Sequence, residues 1–109
     1  MILRRSRKLC LYINTKDRKV IKVSLRQAKG KLIKSLSEEN KYGSQVLLPL
    51  ILKLLQTTNY NLRTLQGIEV ETGPGSFTGL RVGVSVANAL GFSLNIPVNG
   101  KKIEDKLVY

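Results

Sequence analysis

Glu71-Thr72-Gly73-Pro74-Gly75-Ser76-Phe77-Thr78-Gly79-Leu80-Arg81-Val82-Gly83 packs four glycines and a proline into thirteen residues. It stands where one backbone period gives way to another. Before it, residues 66–71 (Gln-Gly-Ile-Glu-Val-Glu) alternate apolar with polar, the period of a half-buried strand. After it, residues 76–91 are mostly apolar and free of proline, as a helix requires. Glycine permits a tight turn, Pro74 fixes one dihedral, and Ser76 or Thr78 supplies an N-cap oxygen. Strand, glycine turn and helix in that order point to an α/β fold. The turn has two readings: a phosphate grip at a helix N-terminus, or a joint whose glycines serve backbone geometry alone.

Outward from this stretch, residues 9–14, 19–25 and 31–36 read as three strands joined by short polar turns, the pattern of an antiparallel meander. In the second, Ile21, Val23 and Leu25 share one face and Val20, Lys22 and Ser24 the other. Residues 44–56 form a first helix, with Ser44 as its N-cap and Pro49 inside it. Residues 96–98 (Ile-Pro-Val) start a fifth strand. The expected order is β-β-β-α-β-α-β, a single domain over 1–109 with two long helices. A strand, crossover helix and strand imply parallel neighbours.

The second helix carries Gly79, Gly83, Ala87 and Gly91 at four-residue spacing, a stripe of small side chains on one face. Interior glycine costs about 1 kcal/mol relative to alanine, so close approach of another helix or backbone is the expected compensation. Both helices are apolar on more than one side, which calls for burial on more than one side. Either they cover each other and the sheet, or they leave an apolar surface for a partner.

The formal net charge is +12, and residues 1–34 contribute +11 of it, twelve Lys and Arg against Asp17. Such a segment fits an anionic partner such as RNA, with Arg4, Arg5, Arg7 and Lys8 as candidate contacts. The plainer reading is a solvated lysine-rich surface, since aromatics are sparse and no RNA-binding motif interleaves with the charges. Cys10 stands alone in an apolar run, a small buried hydrophobe in a reducing compartment. No secretory leader and no membrane-length apolar run is read, so a cytoplasmic protein is expected.

Several chemistries are excluded by residue type. The sequence has no histidine, which removes Ser-His and Cys-His catalysis and histidine-based zinc sites. The glycine turn lacks the lysine of a phosphate-binding P-loop. Two-metal chemistry needs converging acids, and Glu69 and Glu71 share one strand while the first strand ends in Asn14. No catalytic residue, metal or cofactor is expected. A ribonuclease H-like nuclease would have the same order of elements but needs acids where Asn14 stands.

Residues 73–83 (Gly-Pro-Gly-Ser-Phe-Thr-Gly-Leu-Arg-Val-Gly), with Ser44–Pro49 and Ile96–Val98, resemble the TsaB (YeaZ) family of tRNA threonylcarbamoyladenosine biosynthesis proteins. The resemblance runs from about Leu9 to Asn99. It implies a single actin-like (ribonuclease H-like) lobe. It implies a non-catalytic scaffold that binds the catalytic TsaD subunit through its two helices, with the TsaE ATPase joining and a homodimer formed in TsaD's absence. On this chain the implied interface is Leu47, Leu50, Ile51, Leu54, Gly79, Arg81, Val82, Gly83, Val86 and Ala87. The glycine turn is Gly73, Pro74, Gly75, Ser76 and Thr78. The alternative function is a basic RNA-binding module that acts on tRNA without TsaD. Three departures stand out. The family's Asp-Thr-Ser-like strand end is Asn14-Thr15-Lys16; Gly43 stands where relatives often carry histidine; and the resemblance covers only the first of the family's two lobes.

Overall fold

The computed structural model describes residues 9–27, 30–39, 44–75 and 77–101. Its strands are β1 (Leu9–Asn14), β2 (Val20–Gln27), β3 (Leu32–Glu39) and β4 (Leu65–Val70); its helices are α1 (Ser44–Thr58) and α2 (Phe77–Leu94). A short 3-10 turn, Leu62–Thr64, leads into β4. The sheet order is β3-β2-β1-β4. β1 and β2 pair antiparallel, as do β2 and β3, while β4 runs parallel to β1. This is the mixed α/β lobe that the sequence indicates.

Alternation sets the register. In β1, Leu9, Leu11 and Ile13 are buried, and Cys10, Tyr12 and Asn14 are half-buried on the other face. Ile21, Val23 and Leu25 of β2 join the buried set, as do Ile68 and Val70 of β4. Both helices cover this one face. α1 packs over β2 and β3, α2 over β1 and β4, and the helices touch each other. Among the described residues, sixteen buried apolar side chains make one core cluster between the sheet and the helices.

Element ends differ from the sequence reading for physical reasons. Each helix runs two or three residues beyond its expected end and stops at an asparagine with positive φ, Asn59 (65°) and Asn95 (59°). At each stop the next amide reaches back five residues, Tyr60 N to Leu55 O and Ile96 N to Gly91 O, both 3.0 Å. These are Schellman-type caps with asparagine in the left-handed position. β3 continues to Glu39 because its backbone still pairs with Val20, although its side chains turn polar.

The expected fifth strand is reduced to a bridge. Val98 meets Ile68 in parallel and Lys101 in antiparallel fashion. Asn99 and Gly100 both have positive φ, so the chain reverses there and closes Val98 N–Lys101 O at 2.8 Å. The Asn99 side chain then takes the place of further backbone. Its Oδ1 accepts from Val70 N at 2.8 Å and its Nδ2 donates to Val70 O at 3.1 Å. Asn99→Ala leaves both Val70 groups without these partners, and the expected loss is about 1 kcal/mol, read from the denaturant midpoint.

Candidate functional site

Two surfaces bear on function: the joint between β1 and the glycine turn, and the outer faces of the helices. The joint is closed by the chain itself. Thr15, just past β1, is buried, and its hydroxyl donates to the Gly79 carbonyl. Gly83, one turn later on α2, lies directly against Thr15, so that an added Cβ would overlap the hydroxyl. Gly75 lies against Lys16. A Cβ there would sit 2.6 Å from the Lys16 Cβ and 2.8 Å from its carbonyl oxygen. Gly73 has φ +124°, a conformation for glycine. The glycines thus carry backbone approach between the turn and the end of β1. Because the obstacle at Gly75 includes main chain, Gly75→Ala is expected to cost about 1–3 kcal/mol, measured by thermal or denaturant unfolding. Pro74 and Thr78 are exposed, and Ser76 lies outside the described residues.

On the opposite face of the sheet, Tyr12 donates to Glu71 Oε1 at 3.1 Å, and the Arg26 guanidinium stands 4.7 Å over the Tyr12 ring. Burial, and then this bond to Glu71, push the Tyr12 phenol above its usual pKa. Burial, followed by the charge of Glu69, raises the Cys10 thiol. A raised thiol pKa lowers the thiolate fraction at neutral pH, the reverse of an activated nucleophile. Among the described residues, no three His, Cys, Asp or Glu side chains gather as a metal site.

The helices divide their residues differently from the sequence expectation. Leu47, Leu50, Ile51 and Leu54 of α1 and Ala87 of α2 are buried in the lobe's own core. Gly79 and Gly83 are buried as well. The small-residue stripe therefore faces inward, toward the end of β1. Those seven residues, expected at the interface, lie in the lobe's own core, where the chain's own elements cover them. Val82 and Val86 remain half-buried, and Arg81 is exposed.

The outward side of α1 carries Leu48 and Leu52, 43% and 44% exposed, one turn apart beside Pro49 and Lys53. The outward side of α2 carries Ala89 and Phe92, the latter 53% exposed. Neither helix contains an acid. Sequence reasoning missed Leu48, Leu52 and Phe92 as surface residues. In α1 leucines point every way, and only the position of the sheet decides which are inside. Arg4, Arg5, Arg7 and Lys8 lie outside the described residues. Among the described residues, no helix is long and apolar enough to cross a membrane.

Comparison with known proteins agrees with this architecture. The family model described as TsaD, tRNA N6-adenosine threonylcarbamoyltransferase, matches residues 37–100. The tRNA threonylcarbamoyladenosine biosynthesis protein TsaB of Buchnera aphidicola subsp. Schizaphis graminum is 40% identical over 73 residues, which is 66% of this chain and 35% of that protein. The tRNA N6-adenosine threonylcarbamoyltransferase of Nitrosomonas eutropha is 44% identical over 52 residues, 48% of this chain and 15% of that protein. The solved structure of YeaZ from Pseudomonas aeruginosa superposes with a TM-score of 0.73 at 31% identity, over 84% of this chain and 41% of that one. The chain thus spans 35% and 32% of the length of the two Buchnera TsaB proteins it matches.

Proposed function

The chain belongs to the TsaB/YeaZ family, and from that premise we propose that it is a non-catalytic docking subunit in tRNA threonylcarbamoyladenosine biosynthesis. Its partner in this reading is the catalytic TsaD transferase, whose own family model matches more than half of this chain. The TsaE ATPase joins the assembly by family resemblance. The observation that carries the reading is the outer side of the two helices. They lie together on one face of the sheet and still expose Leu48, Leu52 and Phe92. Large apolar side chains left outward on neighbouring helices suit a helix-on-helix interface, where a few buried anchors supply most of the affinity.

The joint at β1 supports the non-catalytic part. Its strand end carries Asn14 in place of an acid, and the Asn14 Oδ1 is occupied by the Lys16 amide at 3.1 Å. The glycine turn is spent on packing against Thr15 and Lys16. The test is co-purification with the TsaD of the same organism. The wild-type chain should be retained by tagged TsaD, and Leu52→Asp should be lost from it. Equal retention of both would remove the helices from the docking role.

A further inference from the structure

We infer that the exposed cations of the β1–β2 loop and of the uncovered face of β2 form a binding track for an RNA phosphate backbone. Lys16, Arg18 and Lys19 are all exposed in the loop. Lys22 and Arg26 follow on β2, exposed between the buried Ile21, Val23 and Leu25, and so on the face away from the helices. From Lys19 to Arg26 the strand rises roughly 23 Å at about 3.3 Å per residue, a reach that follows several phosphates of one strand. The one acid in this stretch, Asp17, already accepts the Lys19 amide at 2.8 Å.

The surroundings define the track. On the same face, the acids among the described residues stand to the sides: Glu39 at the end of β3, opposite Val20, and Glu69 on β4 with Glu71 just beyond it. A polyanion is repelled by both borders and drawn to the cations of β2 between them. Contacts to phosphate are sequence-independent. Base reading has little support here, because Tyr12, the aromatic of this face on β1, lies under Arg26 and is tied to Glu71. The track and the outer helix faces lie on opposite sides of the lobe, so RNA and a docked protein need not compete. The inference therefore does not depend on the docking reading.

The experiment is filter binding of the full chain to an unmodified tRNA transcript across a salt series. The chain should bind at low salt with steep salt dependence. A Lys16→Gln, Lys19→Gln, Lys22→Gln variant should bind about ten-fold or more weakly. Its log–log salt slope should be shallower by about two to three, at roughly 0.7–0.9 per phosphate contact. These side chains are exposed, so an unchanged melting temperature verifies the fold. Unchanged affinity in this variant overturns the proposal. So does a loss confined to an Arg4, Arg5, Arg7, Lys8 to Gln variant. Binding to phosphatidylglycerol vesicles without binding to tRNA overturns it in favour of a lipid surface.

Discussion

Gly83→Leu is expected to destabilise the lobe by about 3 kcal/mol, a large share of the roughly 5–15 kcal/mol that holds a domain of this size. Gly83 sits on the inward face of α2, and any Cβ there runs into the buried Thr15 hydroxyl. To make room, either the Thr15 side chain turns away or α2 lifts from β1, and either movement breaks the Thr15–Gly79 hydrogen bond. A double-mutant cycle isolates the cause. In the wild-type background, Gly83→Ala should destabilise. In a Thr15→Ala background the obstacle is gone, and the same substitution should gain up to about 1 kcal/mol from helix propensity. The sign of the effect should invert between the two backgrounds. The same sign in both would show that the contact with Thr15 does not set the cost. Loss of binding in a Gly83 variant is therefore to be read only after its folded fraction has been measured.

Leu52→Asp and Phe92→Asp should each weaken association with TsaD by 100-fold or more while leaving the melting temperature nearly unchanged. Both side chains point away from the sheet, so a carboxylate there remains solvated in the free chain. Once a partner seals the surface, the charge must be stripped of water without a counterion, which costs several kcal/mol. Leu47→Ala is the informative contrast. Leu47 is fully buried, and its truncation should cost about 2–5 kcal/mol of stability. Any effect on association should disappear once the folded fraction is accounted for. The measurements are isothermal titration for affinity and calorimetric melting for stability.

Much of the lobe was legible in the chain. The 9–14 strand is placed to the residue, because a polar turn follows its apolar run and its buried face is all leucine and isoleucine. The change of period at the glycine turn identifies the β4–α2 joint. Helix ends were less legible, since both stop at asparagine in the left-handed position where glycine is the stronger signal. Ile96 and Val98 point to a fifth strand, but Asn99 turns its side chain into the ladder in place of backbone. The functional surface was least legible. A spacing of four small residues says that something approaches closely, not what approaches, and here it is the end of β1. In α1 the leucines surround the helix, so the choice of Leu48 and Leu52 as the outer pair is made by the tertiary fold.

The measurement that tests the docking role most directly is the light-scattering mass of this chain mixed with TsaD from the same organism. A single species containing both proteins, separating into its components when Leu52 and Phe92 are both changed to aspartate, is the expected result. Two independent species in the wild-type mixture, with TsaD eluting alone, would contradict it.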